Sequence, residues 1–285
     1  IADKEFEYVK WPFRGENYRT KNFSTVLSDA TYMYTGLVSP ATHEINQAID
    51  KLSVGDLRLP LDMSKDRKKI EHWINRSSRI TLMGMDKMKN FTISQGVMDS
   101  LNSFITTADI LYMPEKTYFF QGEILQDKKV IVKDAFNDEL KDGSSVLFEL
   151  PSPWYSTSDI QNKIVEAHSK NCKVALDLTW LPAINEHIHI DMALLDQIFF
   201  SMNKTWPIHD LRPAFRWSKD RINDQQTFQQ EYCSYTKIPP NVFMKLIDEF
   251  ELDFVYEKYK KSADQLCKTF ELQPTSVLWF TKHKR

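Results

Sequence analysis

Three side chains with complementary chemistry follow short apolar runs in the second half of the sequence. Lys204 closes the segment Ser201-Met-Asn-Lys204, which comes directly after the apolar residues 198–200. Asp177 lies near the end of another apolar run upstream, and Arg212 comes eight residues after Lys204. A lysine amine can condense with an aldehyde, a carboxylate can hold a protonated ring nitrogen, and an arginine can bind a phosphate. Together they predict a site for one small molecule that carries all three groups.

A glycine turn supplies a fourth part of this predicted site. Gly96 follows a predicted strand at 89–94 and opens a helix whose apolar positions repeat with the helical period. The first amides of a helix bind phosphate, and the carboxyl ends of parallel strands share one edge of the sheet. Asp177, Lys204 and the Gly96 turn all fall at such ends. The sequence therefore predicts a pyridoxal 5'-phosphate site, with Lys204 on the aldehyde.

Short apolar runs without polar alternation predict strands that are buried on both faces. The clearest helix between them is at 159–170, with Ser156 as its cap. Strands of this kind that alternate with helices form a parallel sheet of the α/β class. The runs that indicate these strands are 110–113, 130–132, 146–150 and 174–178.

The segments on either side of this α/β core predict a second, smaller domain. Periodic apolar positions predict helices at 42–52 and 64–75 and a mostly helical region at 241–272. A strand at 276–280 and a basic tail follow. The predicted parts are an N-terminal arm with part of the small domain at 1–77, the cofactor-binding large domain at 78–215, and the C-terminal small domain at 216–285.

Composition narrows the classes of protein and of partner. The 285 residues carry a formal net charge of -2 and scattered lysines, so we expect no nucleic-acid partner. No apolar run approaches the roughly 20 residues that cross a bilayer, and the start shows no secretory signal, so we expect no membrane association. The three widely spaced cysteines favour reduced thiols, which are typical of a cytoplasmic protein.

Residues 34–217 resemble a known family, the class I/II aminotransferases among the fold-type I, aspartate-aminotransferase-like enzymes. The family's phosphate-binding turn between strand and helix is similar to residues 92–101, and its Pro-x-Tyr segment is similar to 110–118. The motif matches are Asp177-Leu-Thr-Trp180 for the family's Asp-x-Ala-Tyr, Ser201-Met-Asn-Lys204 for its Ser-x-Ser-Lys, and Asp210-Leu-Arg212 for its Gly-Leu-Arg.

The resemblance implies a fold, an activity and a set of roles. The implied fold is a mostly parallel seven-stranded sheet sandwiched by helices, and the implied assembly is a homodimer. The implied activity is transfer of an amino group between an amino acid and a 2-oxo acid. By the same resemblance we expect Lys204 to be the Schiff-base lysine and proton shuttle, Asp177 to pair with the pyridine nitrogen, and Tyr118 to stack on the ring. The cofactor-binding residues so implied are Gly96, Val97, Tyr118, Asp177, Trp180, Ser201, Lys204 and Arg212, with Gly36 near the substrate.

Departures from the family pattern leave the reaction open. Pro153 falls where the family has an Asn that hydrogen-bonds the cofactor's 3′ oxygen, and proline has no N–H to donate. Trp180 replaces a Tyr that reaches the same oxygen, and its indole supplies one donor. A pyridoxal-phosphate lyase and a non-catalytic protein of the same fold that binds the cofactor or a partner are therefore alternatives. No carboxylate or cysteine cluster accompanies His187 and His189, so no metal site is predicted.

Overall fold

The secondary structure alternates between strands and helices along most of the chain. The computed structural model describes residues 42–117, 129–206, 208 and 211–283. The strands are Ile80–Met83 (β1), Asn90–Gln95 (β2), Ile110–Met113 (β3), Ile131–Asp134 (β4), Ser145–Glu149 (β5), Lys173–Asp177 (β6), Ile188–Asp191 (β7), Gln197–Ser201 (β8), Pro213–Ser218 (β9), Leu272–Pro274 (β10) and Thr281–His283 (β11). The α-helices are Thr42–Asp50 (α1), Val54–Leu57 (α2), Met63–Asn75 (α3), Val97–Thr106 (α4), Thr157–Ser169 (α5), Gln225–Glu231 (α6), Ile238–Glu249 (α7) and Phe254–Thr269 (α8).

A seven-stranded sheet forms the centre of the molecule, with the strand order β2-β9-β8-β6-β5-β3-β4. Every neighbouring pair is parallel except those of β9, which runs antiparallel to both β2 and β8. The prediction of an α/β fold with a mostly parallel seven-stranded sheet is therefore confirmed. Strand β9 therefore begins at the edge of the sheet where its neighbours β2 and β8 end.

Both faces of the sheet are buried, as the apolar runs predict. Phe199 and Phe200, adjacent in β8, lie in separate core clusters because successive strand residues point to opposite faces. Phe199 meets Phe104 of α4 edge to face at 6.4 Å, and Phe200 meets Trp73 of α3 at 6.3 Å. Burying one such side chain contributes about 1.5–3 kcal/mol, so the helices are held on the sheet by these contacts.

The helix predictions in the first half of the chain and at 159–170 are confirmed. Helices α1 and α3 lie within one or two residues of the predicted bounds. Helix α5 begins two residues earlier than predicted, and the hydroxyl oxygen of Ser156 accepts from the Asp159 amide at 3.1 Å. This is the capping contact expected of a serine at that position.

The mostly helical region predicted at 241–272 is confirmed and consists of two helices, α7 and α8, because tertiary contacts interrupt the apolar period. Helix α7 ends at Glu249, and the next residue, Phe250, has an extended backbone and a carbonyl that accepts from Trp73 Nε1 at 2.7 Å. Beyond it, the buried carboxylate of Asp253 accepts from Ser77 Oγ at 2.6 Å and pairs with the buried Arg79 at 2.8 Å. These bonds fix the break between α7 and α8.

The strand predicted at 276–280 is wrong. Within it only Val277 makes a bridge, to Ile184, while β10 and β11 on either side pair antiparallel. The Thr275 hydroxyl donates to the carbonyls of Val277 and Phe280 and accepts from the Val277 amide, which folds the segment into a turn. The apolar residues that suggested a strand are instead packed into the core.

Two short strands outside the central sheet have no counterpart in the predictions. Strand β1 pairs in parallel with β7, in register from Ile80 with Ile188 to Met83 with Asp191.

Among the described residues, no helix is long and apolar enough to span a membrane. The domain boundaries at 77 and 215 stay predictions.

Candidate functional site

The predicted site residues that the structure describes lie along one edge of the central sheet. Strands β2, β6 and β8 run in the same direction, so Gly96, Asp177 and Lys204 follow their carboxyl ends at that edge. Arg212 immediately precedes β9, which starts at the same edge because it is antiparallel. Gly36 and Tyr118 lie outside the described residues, and their roles stay predictions.

Asp177 is a buried carboxylate with one oxygen already bonded. It is 8% exposed and is the last residue of β6. Its Oδ1 accepts from the Thr179 amide at 2.9 Å and from the Thr179 hydroxyl. Its Oδ2 accepts no hydrogen bond from any described residue, so one oxygen is left for a ligand. Burial raises the pKa of the carboxyl above its ordinary value, although Thr179 and the charge of Lys204 act in the opposite direction.

Lys204 lies in the turn after β8, half-buried beside an aromatic ring. Its Nζ is 5.7 Å from the centroid of the Trp180 ring. Burial lowers the pKa of the Lys204 amine, and Arg212 lowers it further, whereas the negative charges of Asp177 and Glu149 raise it. The amine is therefore neutral, and able to act as a nucleophile, at a lower pH than that of an exposed lysine.

Gly96 and Arg212 form an anion site at the start of α4. Gly96 has φ +94° and ψ 150°, a conformation open almost only to glycine, and no side chain caps the helix there. A Cβ at this position would lie 2.8 Å from Nη2 and 2.9 Å from Nε of Arg212, so the guanidinium packs directly on the glycine. The free amides that begin at Val97 and the adjacent guanidinium both favour a bound phosphate. Asp99 lies in the first turn of the same helix, and burial raises the pKa of its carboxyl whereas the charge of Arg212 lowers it.

Ser201 is at the same edge, but its hydroxyl is already engaged. The side chain is 1% exposed, donates to the Pro213 carbonyl at 3.0 Å and accepts from the Asn203 amide at 3.2 Å. A phosphate contact would require the hydroxyl to turn away from that carbonyl, so this role stays a prediction. The buried Oδ1 of Asn203 has no partner among the described residues, and this amide is a further polar group beside Lys204.

Glu149 is a second buried carboxylate that the sequence analysis did not single out. It is 6% exposed, ends β5, and is the register partner of Asp177 in the neighbouring parallel strand. Thr117 Oγ1 donates to its Oε1 at 2.5 Å. Asp177 was identified because it is an acidic residue near the end of an apolar run. Glu149 has the same position in the run 146–150, but that run was interpreted only as a strand.

The C-terminal segment packs against the side of the site that Trp180 forms. Phe280 meets the Trp180 ring edge to face at 5.1 Å, and the Leu278 amide donates to the Ala183 carbonyl at 2.7 Å. Lys282 Nζ donates to the carbonyl of Trp154, next to Pro153, at 3.1 Å. The ring beside Lys204 is thus held in place from the end of the chain.

We expect Gly96→Ala to destabilise the protein more than Gly143→Ala. Both glycines have positive φ, but an added Cβ at Gly143 meets nothing within 4 Å, whereas at Gly96 it meets the Arg212 guanidinium. The control, Gly143→Ala, should lower the free energy of unfolding by about 1–2 kcal/mol, and Gly96→Ala should lower it by about 3 kcal/mol or more. Chemical denaturation measures both values. Equal losses in the two variants would contradict the close packing of Arg212 on Gly96.

No family model and no curated protein sequence matches the chain. Solved structures do match. An N-succinyldiaminopimelate aminotransferase from Mycobacterium tuberculosis superposes with a TM-score of 0.64 at 12% identity, over 91% of this chain and 79% of that one. YbdL from Escherichia coli, reported as having a methionine aminotransferase function, gives 0.62 at 12% identity over 90% and 79%. Substrate-bound BacF from Bacillus subtilis gives 0.62 at 11% over 94% and 81%. Likeness at this identity establishes the fold.

Proposed function

We propose that this chain, which has the aminotransferase fold of type I, is a pyridoxal-phosphate-dependent aminotransferase that moves an amino group between an amino acid and a 2-oxo acid. The observation that supports this most strongly is the single sheet edge that holds Lys204, Asp177 and Arg212, with Arg212 packed on Gly96. The aminotransferases of the same fold are independent support.

The described residues fit the three functional groups of the cofactor. The phosphate fits the glycine without a Cβ at the start of α4 and the guanidinium of Arg212 beside it. The ring nitrogen fits the buried Oδ2 side of Asp177, because its other oxygen is occupied by Thr179. The aldehyde fits Lys204, whose lowered pKa favours the reactive amine.

Each residue has a defined part in the proposed reaction. When bound, the cofactor supplies an electron-accepting ring that stabilises negative charge at the substrate Cα. Asp177 accepts the ring N–H and keeps that nitrogen protonated, which strengthens the electron withdrawal. Lys204 takes the proton from Cα and delivers it to cofactor atom C4′, as a general base and then a general acid. Arg212 and the amides at Val97 hold the phosphate and so orient the ring.

A panel of amino acids tests the proposed reaction. The purified protein, loaded with pyridoxal phosphate, is mixed with each amino acid in turn, and pyridoxamine phosphate and the 2-oxo acid are measured by chromatography. Formation of both products in equal amounts with at least one amino acid is the expected result. Release of a fragment of the amino acid without pyridoxamine phosphate would indicate a lyase instead.

A non-catalytic binding protein is the second candidate, and two observations favour it. Pro153 is buried where the resembled family has a hydrogen-bonding Asn, and the hydroxyl of Ser201 is bonded to the Pro213 carbonyl. The proline at 153 and the engaged hydroxyl of Ser201 each take away a cofactor contact that the family resemblance implies. Tight cofactor binding with no product from any amino acid would support this candidate over the aminotransferase.

The remaining predictions on assembly and location rest on the resemblance and on composition. We propose a homodimer in the cytoplasm, with an amino acid and a 2-oxo acid as its small-molecule substrates and with neither nucleic acid nor membrane as a partner. A molar mass near twice 33.6 kDa in light scattering is the expected result for the dimer, and a mass near 33.6 kDa would contradict it.

A further inference from the structure

A cavity of about 420 Å³ lies between helices α4 and α6, and nothing in the proposed reaction uses it. The end of β2 forms one side of this cavity, and the segment 234–239 after α6 forms another. None of the described residues proposed to hold the cofactor lines it. Small-molecule sites have volumes of about 300–1,000 Å³, so the cavity is large enough for a small ligand.

Helix α4 lines the cavity with a polar stripe. The members of this stripe lie three and four residues apart, a spacing that puts them on one face of a helix. They are Asp99, Asn102, Ser103 and Thr106. The opposite face carries Leu101 and Phe104, which are buried against the sheet. The polar face of α4 therefore borders the cavity because its apolar face is packed into the core.

Helix α6 supplies carboxamides from the other side and is fixed in place by hydrogen bonds. Four of its seven residues are glutamine. The three that line the cavity are Gln225, Gln226 and Gln229. Ser100 Oγ of α4 donates to Oε1 of the buried Gln226 at 2.9 Å, and the Ile93 amide of β2 donates to Gln230 Oε1 at 3.2 Å. The walls are thus bonded to each other, so the cavity is preformed.

Several carboxamides around the cavity are available to a ligand. In the part of the chain that the structure describes, four lining side chains make no hydrogen bond with another residue. They are those of Gln95, Asn102, Gln225 and Gln229. A carboxamide offers two donors on its nitrogen and an acceptor oxygen. A ligand in the cavity can therefore engage donors and acceptors together.

The charges around the cavity favour an uncharged ligand. No lysine or arginine occurs among the described residues that line it, so an anion would meet no opposite charge. The carboxylate of Asp224 is paired with Arg216, and the half-buried Asp99 makes no ion pair with any described residue. An ammonium ion can only donate, so it would leave the N–H groups of the carboxamides without acceptors. A hydroxyl donates and accepts, as a carboxamide does, and carries no charge.

One wall of the cavity is apolar. The half-buried ring of Tyr235 and the buried Pro239 both line it. A tyrosine ring is an apolar surface with a polar tip. A sugar ring has hydroxyl groups along its rim and C–H groups on its faces. It therefore matches a cavity that has carboxamides on two walls and apolar contacts on a third.

We propose that the cavity between α4 and α6 binds a neutral sugar ring, whose hydroxyls bond to Asp99, Asn102 and Gln225 and whose C–H face packs on Tyr235. The cavity is lined by none of the described residues proposed for the cofactor, so this inference goes beyond the proposed function and does not depend on it. Free monosaccharides and the terminal sugars of glycans share the chemistry that this cavity recognises.

Saturation-transfer NMR and titration of the full chain test the proposal. The probes are glucose, galactose, mannose and N-acetylglucosamine, each as the free sugar and as its methyl glycoside. Saturable binding of at least one of them, with a Kd of roughly 10 mM or lower, is the expected result. A methyl glycoside that binds at least as tightly as its free sugar indicates a glycan end as the source, and a weaker one indicates a free sugar. Saturable binding by none of the probes would overturn the proposal.

Glucosamine in its ammonium form is the charged probe. It should bind more weakly than the tightest-binding neutral sugar, because its ammonium group cannot accept from the carboxamides. Tighter binding of glucosamine would identify a site for cations and overturn the proposal.

Two substitutions locate the sugar in the cavity. Gln225→Ala and Asn102→Ala each remove one available carboxamide, so each should weaken binding roughly two- to tenfold, and the double variant should weaken it roughly tenfold or more. The matched control is Gln273→Ala, because Gln273 is exposed in β10 and its side chain also bonds to no described residue. The control should keep the wild-type affinity within about twofold. Equal affinities in the double variant and the control would contradict the proposed site.

The double variant also separates this site from a contact between copies of the chain. Light scattering should give the same molar mass for the wild type and the double variant. A lower mass with unchanged sugar affinity would assign the surface to a contact between copies and overturn the proposal. A protein that binds the sugar but forms no pyridoxamine phosphate would contradict the aminotransferase function and leave the sugar site intact.

Discussion

Lys204→Ala is expected to abolish both covalent capture of pyridoxal phosphate and amino transfer. The half-buried amine is the proposed nucleophile toward the aldehyde and the proposed proton carrier at Cα, and alanine can do neither. General acid–base catalysis alone contributes roughly 10² to 10⁴-fold, so the loss of amino transfer should be at least of that order. Two measurements check it. Borohydride reduction and mass spectrometry locate the cofactor on the chain, and chromatography measures pyridoxamine phosphate.

The matched control for this variant is Lys173→Ala. Lys173 is exposed at the amino end of β6, at the opposite edge of the sheet from Lys204. Its removal should leave capture and amino transfer near the wild-type level. Cofactor that still attaches to the chain in Lys204→Ala, or attaches to another lysine in the wild type, would contradict the proposed role of Lys204.

Asp177→Asn is expected to slow amino transfer while leaving cofactor capture largely intact. The asparagine oxygen can still accept from the Thr179 amide, so the local fold is preserved, but the negative charge that holds the ring nitrogen protonated is lost. Loss of one preorganised electrostatic contact costs roughly 10² to 10³-fold in rate. Single-turnover formation of pyridoxamine phosphate measures this rate. A rate within a few-fold of wild type would exclude Asp177 as the partner of the ring nitrogen.

The same substitution has a consequence for pH dependence. The reaction needs Asp177 charged, and burial raises the pKa of its carboxyl in the free protein. The single-turnover rate of amino transfer should therefore fall, as the solution becomes acidic, at a higher pH than an exposed aspartate would give. Asp177→Asn has no such group to titrate, so this acid limb should be absent from its profile. An identical acid limb in both proteins would assign it to another group.

Local sequence patterns predicted the parallel strands of the central sheet and the shared edge at which Gly96, Asp177 and Lys204 lie. Asp177 and Lys204 each follow an apolar run, and strand ends in a parallel sheet share an edge, so their meeting could be inferred without coordinates. The Gly96 turn was found because a glycine separates a strand from an amphipathic helix. These are features in which the local signal and the tertiary structure agree.

The features that were missed depend on contacts between distant residues. Nothing local in Pro213–Ser218 indicates an antiparallel strand, since all six residues are buried and Arg216 is stabilised by Asp224 and Thr92. The turn at Thr275 replaced a predicted strand because one hydroxyl makes three bonds to the backbone. The break before α8 depends on Asp253 meeting Arg79, far away in the sequence.

The pairing of β8 with β9 makes Lys204 and Arg212 parts of a single connection. Ser201 at one end and Ala214 at the other are register partners, so both ends of this connection are fixed to adjacent strands of the sheet. Lys204, proposed for the aldehyde, and Arg212, proposed for the phosphate, therefore lie on one connection between adjacent strands. An insertion in this connection would change the distance between the amine and the guanidinium, so that the two groups could no longer bind the same cofactor molecule. Grafting this connection with its two flanking strands would transfer both groups together.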